Sequence, residues 1–547
     1  MKNLKSILAV LILICLLVSC GKGVTADTDG DASDVAKPTD TATQTEEAET
    51  EPLPWEVDGT VHINLSDEEI TVNGEAISTD NTSDVYTACD IVYYEAGHDF
   101  TYGEGEEADS HTADEAASHT VVHITAPGTY TVSGKLSAGQ IAIDLGEDAE
   151  EDPSAVVTLI LDGVDITNTV APAVIFYSVY ECGSSDAESA TKDVDTASAG
   201  ANVIIADGSV NNISGSYVAR IYKPDTLVLS EDGLEVEDAK KLHKYDAAFY
   251  SKQSLNVNGG EAGDGVLNIT AENEGLDSEL HLTVNGGVIN ILSGNDGINT
   301  NEDGVSVTTV NGGVLNIKVT GETGEGDGID SNGWLVINDG TVIAQACAFS
   351  ADAGIDSDMG IHINGGTVIA TGSMLDRIED GGQTYAVFNF AEKYAGDVTL
   401  KNADGVPVMD VNVENSFTVI VISSPELTAG TYTLWCGDVQ MQGCTGEGMM
   451  GGMGRPEGMT PPEGMERPEG EPPFGMGEGF EKPEKPEGEP PEGMTPPEGE
   501  PPFGMGEGFG RPGGMGQQAG EASTEFVIAD GGNMFSRVCE EDSIAEA

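Results

Sequence analysis

The chain has 547 residues, with 22 Lys and Arg against 96 Asp and Glu, and carries a formal net charge of -74 at pH 7. A charge this negative leaves no large basic surface to neutralise phosphates, so nucleic-acid binding is excluded. Glycine occupies 72 positions and aromatic residues make up 5% of the chain. This composition is typical of a narrow aliphatic core with many tight turns.

The N-terminal residues have the features of a signal peptide. Lys2 and Lys5 precede an apolar run over residues 7–18 that is too short to span a bilayer. The run ends in Leu17-Val18-Ser19-Cys20, which resembles the lipobox of bacterial lipoproteins. That resemblance implies that residues 1–19 are removed, that Cys20 carries the lipid, and that the protein is exported and anchored to the outer face of a bacterial membrane, at the cell surface. An ordinary secretory signal with an incidental cysteine is the alternative.

Composition divides the rest of the chain into segments. Residues 20–54 are acidic and almost free of large apolar side chains, which predicts a disordered tether. Short alternating patterns predict an N-terminal β segment with loops over 55–120 and a C-terminal β cap over 376–445. The segment 446–521 is rich in Pro, Gly and Met and is expected to be disordered. Residues 522–547 contain a candidate final strand that could rejoin the cap, followed by a tail.

An internal repeat dominates residues 121–375. Asn-Gly-Gly or Asn-Asp-Gly recurs about every 26 residues and is flanked by short segments with alternating aliphatic residues. The corners begin at Asn258, Asn285, Asn311, Asn338 and Asn364. Asn and Gly tolerate positive φ, and a unit of this size can bury its aliphatic row only by stacking on its neighbours. The sequence therefore predicts an all-β protein whose repeat domain is a right-handed parallel β-helix.

A second corner of the repeat carries oxygen ligands. Asp277, Asp330 and Asp356 lie at the same offset before their Asn-Gly corners and are expected to stack along one edge, whereas an insertion displaces Asn299. Stacked carboxylates repel one another and attract a hard cation, which predicts Ca²⁺ as the cofactor. The predicted ligands are Glu274, Asp277, Asp296, Asn299, Asp327, Asp330, Asp352, Asp356 and Asp358. The alternative is that these residues serve only as turn formers.

Several sequence segments also resemble those of a known family. Gly128-Thr-Tyr-Thr-Val-Ser-Gly134, Val157-Thr-Leu-Ile-Leu-Asp-Gly-Val-Asp-Ile-Thr167, Asn202-Val-Ile-Ile-Ala-Asp-Gly208 and the Asn-Gly-Gly coils are similar to the bacterial carbohydrate-binding β-helix family first described in cellulolytic clostridia. The resemblance covers approximately residues 82–424. It implies a fold like that of pectate lyases, bound calcium, and binding of acidic plant polysaccharide such as polygalacturonate, with cellulose as a further ligand.

These observations predict a monomeric surface lipoprotein that binds acidic polysaccharide through calcium without cutting it. Trp334 is the candidate for stacking on sugar, although it could be an ordinary exposed aromatic residue. A calcium-dependent lyase of the pectate type is the main alternative, with Lys252 as the candidate base. A surface adhesin or scaffold protein is another. Cys436 and Cys444 are a candidate disulfide pair, and the alternative is that all the cysteines of the exported chain beyond Cys20 are free, buried thiols.

Overall fold

Most strands in the described residues pair in parallel. The structure is a computed structural model that describes residues 59–230, 232–445 and 522–540. In these residues the regular structure is almost entirely β, which confirms the all-β prediction; the exceptions are one short α-helix, Ala113–Ala116, and three 3₁₀ turns, Glu107–Asp109, Ala149–Glu151 and Pro224–Thr226. No helix in the described ranges is long and apolar enough to cross a membrane. The predicted signal peptide, Cys20, the predicted tether and the 446–521 segment lie outside the described residues.

The strands form three ladders. Over residues 247–331 the chain visits the three ladders in turn, and we call each such circuit a coil. The first ladder pairs in parallel Val61–Leu65, Gly128–Leu136, Val157–Thr167, Ala201–Ile205, Leu255–Gly259, His281–Val284, Val307–Val310, Trp334–Ile337 and Gly360–Ile363. The second continues from Val157–Thr167 through Val210–Gly215, Val266–Ala271, Val288–Ser293, Val314–Val319, Thr341–Gln345 and Thr367–Gly372.

The third ladder bears the candidate site. It begins with Val85–Ala88, which is antiparallel to its neighbour, and continues in parallel through Thr120–Ile124, Gly139–Asp144, Val174–Ser178, Ala247–Ser251, Glu274–Ser278, Ile298–Thr300 and Ile329–Ser331. Leu276, Ile298 and Ile329 belong to one continuous aliphatic core. Because side chains alternate along a strand, the residue that follows each of them faces away from the core.

The repeated Asn corners stack on one another. Each asparagine donates its side-chain amide to the side-chain oxygen of the asparagine one coil earlier, over 2.8 to 2.9 Å, from Asn364 back to Asn258. The second glycine of the corner takes a left-handed backbone, with φ of 84° at Gly313. A Cβ atom there would lie 2.7 Å from the carbonyl oxygen of Gly287. The corner therefore requires glycine for both its backbone angle and its close contact.

Antiparallel strands follow the coils at the C-terminal side. Thr367–Gly372 pairs with Pro407–Ser423, which forms a sheet with Tyr385–Asn402, Gly430–Cys436 and Val439–Thr445. Phe526–Ile528 and Gly532–Glu540 return to the same sheet. Its own aromatic core contains Phe388, Phe526 and Phe535. Two short hairpins complete the strands: Thr71–Val72 with Glu75–Ala76, and Val228–Leu229 with Val236–Asp238.

The predicted Cys436–Cys444 disulfide is wrong. Both cysteines are free and buried. The hairpin turn between them is present, but Cys436 pairs with Val439, which leaves Cys444 five residues further along the returning strand, about 16 Å away at the rise of a β-strand. A disulfide requires Cα atoms within about 7 Å. Among the other described cysteines Cys89 is exposed, so the alternative of uniformly buried thiols does not hold either.

Candidate functional site

Oxygen-bearing side chains occupy successive strands of the third ladder. Asp277 pairs with Asn299, and Asn299 pairs with Asp330, so the three lie in one column on the face away from the core. The expected displacement of Asn299 is wrong, because the additional residues of that coil are accommodated between the third-ladder strand and the next first-ladder strand, at 301–306, and leave the register unchanged. We call the nine predicted ligands, taken together, the acidic column.

The first part of the acidic column is buried. Asp277 has no exposed surface, and Glu274 and Asn299 are 6% and 7% exposed. Asn299 donates to Glu274 Oε1 over 3.1 Å, and Asn301 donates to Asp277 Oδ1 over 2.7 Å. In the described part of the chain Glu274 Oε2, Asp277 Oδ2 and Asn299 Oδ1 have no hydrogen-bond partner. Three buried acceptors without donors carry a desolvation cost that a cation would remove.

The second part of the acidic column is less buried than the first. Asp327, Asp330 and Asp356 are partly exposed, and each offers a carboxylate oxygen within 4.8 Å of the other two. None of the ion pairs among the described residues involves these three carboxylates. Asp330 and Asp356 therefore converge as predicted. Their third partner is Asp327, whereas Asp277 lies two strand spacings from Asp330, about 9.6 Å, and groups with Glu274.

The remaining predicted ligands extend the column. Asp296 accepts a hydrogen bond of 2.6 Å from the backbone nitrogen of Asp327. Asp352 accepts one of 2.8 Å from the backbone nitrogen of Gly326 and another from the hydroxyl of Ser350. Asp358 is exposed. Backbone donors therefore partly satisfy Asp296 and Asp352, so these two carboxylates would gain less from a cation.

Burial and mutual repulsion raise the pKa values along the acidic column. Burial, followed by the charge of Asp246, raises the pKa of Glu274 to about 8. Burial, followed by the charges of Asp376 and Asp358, raises the pKa of Asp356 to about 7. Burial and neighbouring carboxylates also raise the pKa values of Asp277, Asp296, Asp327 and Asp330. At neutral pH the column must either keep protons or gain positive charge.

The donor chemistry fits a hard divalent cation. Carboxylate and amide oxygens are the ligands that calcium prefers, usually six to eight of them. Near the buried part the Arg220 guanidinium supplies some positive charge, since it donates to Asp246 over 3.0 Å. The cluster of Asp327, Asp330 and Asp356 has no such partner among the described residues and offers three converging oxygens. Among the described residues, these three carboxylates are close enough together to share one cation.

A large cleft lies on the same ladder, on the strands that precede the acidic column. Its volume is about 1290 Å³, and its lining includes Lys252, the candidate base, together with Tyr177, His243 and Tyr245. The cleft was not predicted, because Tyr177 is distant in the chain from His243, Tyr245 and Tyr250, and these residues follow no periodic pattern. Lys240 and Lys241 also line the cleft. Two adjacent lysines in so acidic a chain are the sequence feature that could have indicated a binding site there.

Trp334 lies elsewhere. It is partly buried at the start of a first-ladder strand, where it pairs with Val307 and Gly360. It is not among the residues that line the cleft. Its role in stacking on sugar stays a prediction, and the structure offers tyrosines in a more enclosed setting.

The fold and site together define an all-β protein of stacked parallel strands with a carboxylate-rich face. Residues 118–384 match the family model described as carbohydrate-binding domain-containing protein. A protein of Acetivibrio thermocellus with the same description is 28% identical over 177 residues, which are 32% of this chain and 46% of the relative. The match thus spans about half the length of that relative. A solved structure described as the polysaccharide lyase-like protein from C. thermocellum, gadolinium derivative, is 20% identical with a TM-score of 0.31, covering 56% of this chain and 90% of the other.

Proposed function

We propose that this protein is a calcium-loaded, carbohydrate-binding lipoprotein that holds acidic polysaccharide at the cell surface without cutting it. The observation that carries the proposal is the acidic column, with its unpartnered buried oxygens and three converging carboxylates. The match of residues 118–384 to a carbohydrate-binding domain model supports the sugar ligand. The lipobox-like Leu17-Val18-Ser19-Cys20 supports the anchor. The three ladders and stacked Asn corners support a right-handed parallel β-helix.

Calcium held by the acidic column would reconcile the charge of the protein with an acidic ligand. A chain with a net charge of -74 repels a polyuronate over long distances. A divalent ion between protein and sugar carboxylates replaces that repulsion with two attractions. Asp327, Asp330 and Asp356 are partly exposed, so a cation bound there can keep open positions for a sugar carboxylate. Glu274, Asp277 and Asn299 are buried, so an ion there would serve the fold.

The test is a titration of the protein with polygalacturonate in the presence of calcium and again in the presence of a chelator. We expect binding with calcium and at least a tenfold loss of affinity with the chelator, a difference of about 1.4 kcal/mol. A matched titration with magnesium, which is smaller and demands stricter octahedral geometry, should restore less binding. Equal affinity in calcium and in chelator would contradict the calcium bridge.

A lyase is the second candidate, and the position of Lys252 favours it. Lys252 lines the cleft, two residues beyond Tyr250, which pairs with Asp277 of the acidic column. β-Elimination from a uronide removes the C5 proton to a base, expels the 4-linked oxygen and leaves a C4–C5 double bond. Incubation with polygalacturonate and calcium should give no ultraviolet-absorbing product under our proposal. Absorbing product that disappears in Lys252→Gln would establish the lyase instead.

A further inference from the structure

The cleft on the third ladder is built from two parts of the chain. Tyr177 and Tyr250 come from the ladder strands Val174–Ser178 and Ala247–Ser251. The segment 238–245, which follows a hairpin standing outside the coils, supplies the rest of one side. We call this space, of about 1290 Å³, the tyrosine cleft. It is large enough for several sugar units, since ligand sites usually measure about 300 to 1,000 Å³.

Aromatic rings form one continuous cluster in the tyrosine cleft. Tyr245 stands at its centre, with ring centroids 4.4 Å from His243, 5.4 Å from Tyr177 and 5.3 Å from Tyr250. Tyr245 and Tyr177 are partly exposed. Aromatic faces with a polar edge stack on the apolar faces of sugar rings and hydrogen-bond to their hydroxyls. Neither ring nitrogen of buried His243 has a hydrogen-bond partner among the described residues, so this part of the cleft is polar and not fully satisfied.

Two lysine ammonium groups in the tyrosine cleft are available to pair with a ligand. Lys240 and Lys252 are exposed, and neither forms an ion pair within the described ranges. Lys241 and Lys244 are engaged, with Glu104 and Glu279 respectively. Free positive charge is scarce in a chain with 22 basic residues against 96 acidic ones. Two free lysines beside an aromatic cluster can pair with individual carboxylates of a ligand.

Acidic side chains also line the tyrosine cleft. The acidic lining residues outnumber the lysines: Asp90, Asp144, Glu147, Glu150 and Asp238 are exposed, and Glu279 is partly buried. Carboxylates accept hydrogen bonds from hydroxyl groups, and they repel a ligand that carries nothing but negative charge, such as polyphosphate. A ligand with both hydroxyls and carboxylates fits all three kinds of lining group. A polymer of hexuronic acid has this composition on every unit.

We propose that the tyrosine cleft binds a segment of acidic oligosaccharide, with Lys240 and Lys252 pairing with its carboxylates and Tyr245 contacting a sugar ring. This inference rests on the proposed function and adds a calcium-independent subsite to it. The cleft and the acidic column share one ladder, because Tyr250 pairs with Asp277. From Tyr250 to Asp330 is three strand spacings, about 14 Å, so one extended chain can contact both.

The test compares variants by calorimetric titration with short polygalacturonate oligomers, in calcium and in chelator. The double variant Lys240→Gln/Lys252→Gln should bind about tenfold more weakly than the wild type in both buffers, with a smaller dependence on salt. Lys223→Gln is the matched control. Lys223 is exposed, its backbone nitrogen donates to the carbonyl of Lys240, and its side chain does not line the cleft. The control should bind within about twofold of the wild type.

The outcomes separate this subsite from the calcium bridge. If the double variant binds as the control does, the tyrosine cleft is not the subsite, whatever the chelator does. If the double variant weakens binding while the chelator has no effect, the cleft stands and the calcium bridge fails. A neutral galactose oligomer that binds as tightly as the acidic one would overturn the assignment of the lysines. Tyr245→Leu, checked for an unchanged melting midpoint, should weaken both oligomers.

Discussion

Carboxylates behave in opposite ways in the acidic column and in the surface loops. Asp80, Asp99 and Asp152 lie in exposed turns, and each accepts hydrogen bonds from the backbone nitrogen and the hydroxyl of the residue two positions later. Those bonds lower the pKa of each group. Along the column, burial and neighbouring carboxylates raise the pKa. Hydrogen bonds thus satisfy the turn carboxylates, whereas in the column Glu274 Oε2 and Asp277 Oδ2 have no hydrogen-bond partner among the described residues.

This difference separates the few candidate ligands from the many acidic residues. A total of 96 Asp and Glu says nothing about cation binding. A turn aspartate obtains its donors from its own backbone, so a cation would gain little there. In the column burial removes carboxylates from water, and stacking brings like charges together. Removal of one charge should therefore have very different effects in the two regions.

The largest effect is expected from Asp330→Asn. This variant loses one of the three converging carboxylates, so its calcium affinity should fall at least tenfold, about 1.4 kcal/mol. The wild type at calcium 100 times its dissociation constant should gain about 2.7 kcal/mol of unfolding free energy. The variant should gain correspondingly less. Calorimetric calcium titration and thermal melting with and without chelator measure both quantities.

Asp339→Asn serves as the control for that comparison. Asp339 is exposed at the Asn corner of the next first-ladder strand, outside the acidic column. The Asp339→Asn variant should bind calcium with the affinity of the wild type. In chelator, Asp330→Asn should melt no lower than the wild type, since it removes like-charge repulsion. If Asp330→Asn and Asp339→Asn have equal calcium affinities, the column does not bind calcium through Asp330.

An intermediate effect is expected from pH in the calcium-free protein. Glu274 has a folded pKa of about 8 and Asp356 one of about 7, both above their ordinary values of 4.5 and 3.8. Between those limits the folded state holds more protons than the unfolded state, so unfolding free energy should decrease as pH rises from about 4.5 to 8. Urea unfolding at several pH values in chelator measures this slope. Saturating calcium should flatten it, and stability that instead rises with pH in chelator would contradict the raised pKa values.

The smallest effect is expected from Asp152→Asn in a surface turn. The asparagine retains the oxygen that accepts from the backbone nitrogen and hydroxyl of Ser154. We expect no measurable change in calcium affinity or melting midpoint, because surface substitutions of this kind are close to neutral. The same calcium titrations and melting curves test it. A clear loss of calcium affinity would show that the two regions are not as different as their pKa shifts indicate.

Much of the acidic column could be predicted from the repeat. Asp330 and Asp356 share an offset from their corners, and the structure brings their oxygens together. The position of Asn299 could not be predicted by counting residues, because an insertion between strands leaves the pairing unchanged. The failed Cys436–Cys444 pair has a similar cause. The turn was evident from the sequence, but the register of the hairpin decides which residues meet.

The all-β class, the stacked corners and the residue types of the acidic column can be predicted from residues alone, because each follows from a local pattern repeated about every 26 residues. The tyrosine cleft depends instead on tertiary contacts. Tyr177, Tyr245 and Lys252 meet there because one ladder stacks distant strands and the segment 238–245 packs beside them. Segments outside the repeat, such as 238–245, pack against the ladder strands in ways that the repeat period does not predict.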